Sequence, residues 1–306
     1  MKNKKFNRRE FMTALAAGAG TVLLGNATSV MGQVKPRFST DPFQTVSLGR
    51  SGIKTTLIGM GTGFNGYNRS SNITRAGKSA AETVIRYAYE KGIRFFDCAD
   101  TYGTHPYTKD ALKDFPRESY VLGTKIWLGQ GGLPETERPG ANITVDRFRK
   151  ELNTDYIDLV QIHCMTAPDW KEQYKKHLEI LENLKAKKVI RAHGVSVHSL
   201  EAMETSINPW IDVVHVRINP YGENMDRKDP SEVTGVIERL HKSGKGVIGM
   251  KLIGGGKFKT DTEKIEKSLK YVLSLGTVDM IIVGFEFPGQ IDNYTGKMEK
   301  VLCDLN

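Results

Sequence analysis

From Thr55 onward the chain alternates short apolar or β-branched runs with polar or amphipathic stretches long enough to hold a helix. The runs are Thr55–Met60, Ile93–Ala99, Tyr120–Ile126, Ile157–His163, Val189–Val195, Asp212–Ile218, Gly246–Lys251 and Met280–Phe285. Between them, Ala81, Val84, Ile85 and Ala88 fall at i, i+3, i+4 and i+7, as do Val233, Val236, Ile237 and Leu240. Each set predicts a helix with one apolar face. The second has Asp229 as N-cap and Pro230 in its first turn, and stops near Gly244. Trp170, Tyr174, His177, Leu178, Leu181 and Leu184 mark another helix ahead of the fifth strand.

Strands that read as nearly continuous apolar runs and alternate with helices predict a parallel sheet covered on both faces. Eight such units in one chain of this length fit a closed (β/α)8 TIM barrel, an α/β fold in a single domain. An open doubly wound sheet is the competing architecture, because Gly61-Thr-Gly63-Phe-Asn-Gly66 matches G-x-G-x-x-G directly after the first strand. A dinucleotide fold would start a helix there at once, whereas Tyr67 to Gly77 is polar and loop-like, so the segment reads as a βα loop at the top of a barrel. Ahead of the first strand, Val46-Ser-Leu-Gly-Arg-Ser-Gly52-Ile53 predicts a short hairpin that plugs the barrel's bottom.

Composition narrows the function classes. With 306 residues, 39% hydrophobic and 26% charged, the chain can bury a substantial core and is not a disordered, collagen-like or membrane-bundle protein. Cys98, Cys164 and Cys303 are widely spaced and form neither a disulfide framework nor a C-x-x-C motif. The net charge of +9 includes +4 from the first ten residues, where Lys2, Lys4, Lys5, Arg8 and Arg9 outweigh Glu10. The remaining +5 is spread along the chain without a basic-aromatic stripe, so no nucleic-acid partner is expected.

The amino terminus reads as an address. Asn7-Arg-Arg-Glu-Phe-Met12, followed by the Ala- and Gly-rich run Thr13–Gly25, resembles a bacterial twin-arginine export signal with a cut near Gly32. This divides the chain into a signal (1–32), a linker (33–45) and a barrel domain (46–306). It predicts a periplasmic or exported protein whose partners include the twin-arginine translocation machinery. No other apolar run is long enough to span a bilayer, so the mature chain is expected to be soluble, without stable membrane insertion.

In barrels of this kind the active site is built at the carboxyl ends of the strands. Strand two ends in Phe96-Asp97-Cys98-Ala99-Asp100-Thr101-Tyr102-Gly103, strand three in Gly123-Thr124-Lys125 and strand four in Gln161-Ile162-His163. An acid, a phenol, an ammonium and an imidazole on one rim make a proton-transfer device. The Lys125 charge is expected to lower the Tyr102 pKa, Asp97 to hold Lys125 charged, and His163 to orient a carbonyl oxygen or share the proton.

Gly92-Ile-Arg-Phe-Phe-Asp97-Cys-Ala-Asp-Thr-Tyr102-Gly, Leu122-Gly-Thr-Lys125, Tyr156-Ile-Asp-Leu-Val-Gln-Ile-His163 and Gly194-Val-Ser196 resemble, in order and spacing, the aldo-keto reductases. The resemblance covers about Val46 to Leu302. It implies the same barrel, a catalytic tetrad of Asp97, Tyr102, Lys125 and His163, and hydride transfer between NADPH or NADH and an aldehyde or ketone, or the corresponding alcohol, sugars included. It also implies that Ser196 holds the nicotinamide carboxamide. Two departures stand out: the usual Asn after that Ser is Val197, and the usual Gln of strand six has no clear counterpart, leaving His215 or Arg217 as substitutes.

Lys251-Leu-Ile-Gly254-Gly255-Gly256-Lys257 is a glycine-rich loop suited to a pyrophosphate. After strand eight, where many family members carry a basic pair for the 2′-phosphate, the chain has Glu286, Gln290 and Asn293, which favours NADH, with Lys257 or Lys259 able to supply charge from another loop. Trp127 and the loop Leu128–Gly140 are expected to wall the substrate pocket, with Tyr67 and Tyr221 as further aromatic contacts. Two other readings carry distinct expectations: a nicotinamide-binding regulatory barrel with little turnover, and a metal-dependent hydrolase using His163, His198 and His215. The second lacks the carboxylates and the strand-one His-x-His pair, so no metal is expected.

Overall fold

Thr45–Ser47 (β1) and Lys54–Thr56 (β2) pair antiparallel, with Val46 opposite Thr55. The turn between them carries Leu48 and Ile53, which are buried among Phe95, Val121, Leu159, Ala192 and Val213 inside the barrel. The Arg50 amide donates to the Gly244 carbonyl at 2.9 Å. The buried Asp279 carboxylate accepts from the Gly49 and Val247 amides at 3.1 and 2.8 Å, fastening the turn to the barrel floor. The hairpin therefore extends to Thr56, and the first barrel strand begins at Ile58. The apolar run Thr55–Met60 had merged the two because buried Leu57 bridges them.

In a computed structural model of the protein, residues 37–306 are described. The expected export signal (1–32) and the start of the linker (33–36) lie outside the described residues. Residues 37–44, expected as linker, instead pack on the barrel: Phe38 is buried in the outer core and Arg37 pairs with Asp279.

The barrel strands are Ile58–Gly61 (β3), Phe95–Asp97 (β4), Val121–Ile126 (β5), Ile157–Met165 (β6), Ile190–Val197 (β7), Val213–Arg217 (β8), Gly246–Met250 (β9) and Met280–Gly284 (β10). Neighbours in sequence are neighbours in space and all pairs are parallel. β10 returns to β3 with Ile281 opposite Ile58, closing the barrel. The outer helices are Asn72–Arg75 (α1), Lys78–Lys91 (α2), His105–Leu112 (α3), Ala141–Leu152 (α4), Trp170–Gln173 (α5), Lys175–Ala186 (α6), Leu200–Glu204 (α7), Pro230–Lys242 (α8), Thr262–Ser274 (α9) and Pro288–Leu305 (α10). Among the described residues no helix is long and apolar enough to cross a membrane.

α8 shows how the pattern becomes structure. Asp229 accepts from the Ser231 amide at 2.9 Å, Pro230 occupies the first turn, and Val233, Val236, Ile237 and Leu240 are all buried against the barrel. Each such aliphatic contributes about 1.5–3 kcal/mol on burial. The helix expected from Trp170 to Leu184 is broken at Tyr174 into α5 and α6.

Side chains alternate along each strand. Phe95, Val121, Leu159, Ala192 and Val213 fill the lower interior, so the same inward parity places Asp97, Lys125, Gln161, His163, Ser196 and His215 above them. The interior changes from apolar to polar toward the carboxyl ends of the strands.

Candidate active site

Tyr102 sits on a 3₁₀ turn, Asp100–Tyr102, directly after β4. The turn is held by buried Asp100, which binds Arg147 at 2.7 Å and Arg69 at 3.4 Å. It ends on Gly103 at φ +68°, where a Cβ would lie 2.0 Å from the Arg69 carbonyl oxygen. From there the phenol reaches across the barrel mouth, its hydroxyl 3.3 Å from His163 Nε2. Lys125 Nζ donates to Asp97 Oδ1 and, at 3.0 Å, to the Cys98 carbonyl, and lies 5.2 Å from the centre of the Tyr102 ring. The four residues expected at the rim therefore converge.

The electrostatics follow from burial and charge. Burial by itself would raise the Asp97 carboxyl, but the Lys125 ammonium and His215 outweigh it and bring the pKa down to about 2. Burial and the Lys125 charge push the His163 imidazole well below its usual value, so it is neutral. Burial, then the Asp97 charge, raise the Tyr102 phenol well above its usual value, contrary to the lowering expected from a nearby Lys125. The reason is geometric: the ammonium is engaged by Asp97 and the Cys98 carbonyl, not by the phenol oxygen.

Two features escaped the sequence reading. The G-x-G-x-x-G segment is a platform for Tyr102: a Cβ on Gly63 would lie 2.1 Å from the ring and one on Gly66 2.4 Å from it. The spacing was visible but its partner, some forty positions away in the chain, was not. Second, His215 is fully buried with Nε2 3.4 Å from Asp97 Oδ1, so it belongs to the tetrad's support. Its inward parity with Val213 was the available signal. Arg217 instead pairs with the buried carboxylate of Asp226 and donates to the His198 carbonyl at 2.7 Å. Of the three histidines weighed as metal ligands, His163 meets Tyr102, His198 meets Cys164 Sγ at 3.5 Å and His215 meets Asp97. Among the described residues no group of three or more His, Cys, Asp or Glu is placed to hold a metal.

A cavity of about 780 Å³ opens above the tetrad. Asp97, Tyr102, Lys125, His163, Trp127, Tyr67, Ser196, Lys251, Gly255, Gly256, Gln290 and Asn293 all line it. Gly254 does not, being buried against Phe258, while Tyr221 packs edge-on to Phe258 at 5.3 Å. Trp127 donates from Nε1 to the Gly131 carbonyl at 2.5 Å and meets the His163 ring edge-on, forming a wall beside the tetrad. Ser196 Oγ accepts from the Cys164 amide at 2.8 Å and keeps its own hydrogen for a further acceptor. Lys251 has no ion-pair partner among the described residues, and its ammonium is lowered by burial. At the far rim, Gln290 Oε1 accepts from the Glu286 amide at 2.7 Å, and Asn72 Nδ2 donates to Glu286 Oε1 at 2.6 Å. Lys257 is tied to Glu223 at 2.6 Å, whereas Lys259 lines the cavity.

These four residues lie at the floor of a cleft in a closed barrel, and comparison with known proteins assigns that barrel to a family. The chain belongs to the Aldo/keto reductase family, whose family model matches residues 57–268. It is 32% identical over 166 residues to the aldo-keto reductase YhdN of Bacillus subtilis, covering 52% of this chain and 48% of that protein. It is 31% identical over 130 residues to the D-arabinose 1-dehydrogenase of Saccharomyces cerevisiae, covering 39% and 37%. The chain spans about half the length of the curated relatives it matches. The aldo-keto reductase AKR11C1 of Bacillus halodurans, solved in its holo form, superposes with a TM-score of 0.66 at 20% identity over 86% of this chain and 96% of that one, a likeness of fold.

Proposed function

We propose that the protein transfers hydride between a nicotinamide cofactor and an aldehyde or ketone, or the corresponding alcohol, with Tyr102 as general acid and base. The observation that carries this reading is the convergence of Asp97, Tyr102, Lys125 and His163 at the floor of one cleft, with the Tyr102 hydroxyl 3.3 Å from His163 Nε2.

The residues present fit such a cofactor. Ser196 retains a hydroxyl donor for a carboxamide, and Lys251, without an ion-pair partner among the described residues, lies with Gly255 and Gly256, both at positive φ, in the cavity lining and offers a cation and bare backbone for a diphosphate. When bound, the reduced nicotinamide supplies the hydride. Tyr102, held protonated by burial, donates its proton to the carbonyl oxygen as charge develops there. Neutral His163 orients that oxygen, and the Lys125 ammonium, held by Asp97 5.2 Å from the Tyr102 ring centre, supplies positive potential beside the phenolate left behind.

The absence of a basic pair beside Glu286, Gln290 and Asn293 supports a preference for NADH, since a carboxylate there accepts from a ribose hydroxyl and repels a phosphate. The test is quenching of tryptophan fluorescence by NADH and NADPH, followed by a carbonyl screen. NADH is expected to bind more tightly, and Tyr102→Phe to lower kcat by roughly 10²–10⁴ while leaving NADH affinity within about twofold; full activity in that variant refutes the assignment.

The proposal extends to location: the Asn7–Met12 segment supports twin-arginine export to the periplasm. Replacing Arg8 and Arg9 by Lys is expected to leave the protein in the cytoplasmic fraction, and unchanged partition of that variant refutes it.

A further inference from the structure

A second cavity of about 490 Å³ opens at the other end of the barrel, between the hairpin turn and the segment joining α8 to β9. Two cations line it. Lys245 is 8% exposed as a whole residue, and its ammonium, at the cavity, has no hydrogen bond or ion pair among the described residues. Arg50 is an exposed residue that donates through its backbone amide to the Gly244 carbonyl, and its guanidinium has no ion-pair or hydrogen-bond partner among the described residues. The guanidinium lies flat on Gly244, where a Cβ would come within 2.8 Å of Arg50 Cδ and Nε.

The acceptors nearby are already engaged. Asp212, the carboxylate in the lining, binds Lys185 Nζ through both oxygens at 2.8 and 2.7 Å and accepts from the His193 amide at 3.1 Å. Glu182, on the same helix as Lys185, is paired with His193. At the end of α8, the Leu240 carbonyl accepts from the Ser243 and Lys245 amides and the His241 carbonyl from the Gly244 amide. With Asp212 engaged by Lys185, Arg50 and Lys245 are the two charged side chains of the lining left without a counterion among the described residues. Two cations that line one cavity without a counterion among the described residues repel each other, and an anion seated between them relieves that repulsion. The remaining lining suits an organic ligand: Asn208 Oδ1 is taken by the Trp210 amide, leaving its Nδ2 as a donor, and Ile207, Pro209 and Ile211 form an apolar wall.

We infer that this cavity is a binding site for a compact organic anion, whose phosphate or carboxylate group is held between Arg50 and Lys245 and whose body rests on the Ile207–Ile211 wall. The site lies at the end of the barrel away from the tetrad, and the inference is independent of the proposed reaction.

The experiment is calorimetric titration of the purified full chain with inorganic phosphate and with succinate, each at constant ionic strength set by chloride, paralleled by melting curves. Saturable binding of one of the two is expected, with a rise in Tm that grows with ligand concentration; the one that binds more tightly names the class of anion. Lys245→Gln and Arg50→Gln are each expected to weaken binding at least tenfold while leaving NADH quenching unchanged. Absence of saturable binding of both ions, or binding equally tight in both variants, overturns the proposal.

Discussion

Asp97 joins chemistry to stability within one side chain. It is buried, and its carboxylate faces the Lys125 ammonium and the His215 imidazole. Its folded pKa of about 2 lies below the unfolded value of about 3.9, so it contributes stability that is complete above the unfolded value and is lost as pH falls through the folded one. Urea unfolding of the wild type is therefore expected to weaken by about 2 kcal/mol between pH 5 and pH 2 through this residue. Asp97→Asn flattens that part of the acid limb, at the cost of leaving Lys125 buried and uncompensated, about 3–5 kcal/mol at neutral pH. An acid limb of unchanged slope in Asp97→Asn contradicts the ion pair's role. The same reasoning separates Tyr102 from Lys125: burial decides the phenol's protonation because the ammonium's bonds go to Asp97 and the Cys98 carbonyl.

At the scale of elements, the loop after β3 and the turn after β4 form a single unit. Gly63 and Gly66 leave room for the Tyr102 ring, which is the movable end of a side chain. An added methyl displaces the ring and costs the fold little. Gly63→Ala is thus expected to lower kcat/KM at least tenfold with a shift in Tm of no more than a few degrees. Equal losses in both, or no loss of activity, refute the platform. The strand–helix alternation was legible because each strand is an unbroken apolar run and each helix shows one apolar face. The pairing of Gly63 with Tyr102 was not, since it is a contact between successive βα connections that no local period encodes. The boundary between hairpin and barrel was blurred for a related reason: Thr55, Thr56 and Leu57 are buried like strand residues although they belong to the plug and its junction.

The whole molecule has two ends with separate duties. The floor is sealed by the hairpin, whose Leu48 and Ile53 complete the interior apolar layer, while the tetrad occupies the opposite mouth. Leu48→Ala is expected to cost about 2–5 kcal/mol in chemical denaturation through the cavity it leaves. NADH affinity is expected to change by less than about threefold, because the proposed cofactor site lies at the carboxyl face. A large loss of affinity at retained stability contradicts this division.

The sequence by itself determined the fold class, the eight strand–helix units, the plug and the residues that meet in the cleft. Hydrophobic periodicity is a local property, and strand ends in a closed parallel barrel all deliver their side chains to one rim. Tertiary structure alone decided which neighbours those residues have: that His215 lies against Asp97, that Arg217 is taken by Asp226, that Lys257 is taken by Glu223, that Gly254 turns away from the cleft, and that Arg50 and Lys245 face one cavity without a counterion among the described residues. Charge pairing and desolvation act through space over a few ångströms, and the closure of the barrel sets those distances between residues far apart in the chain.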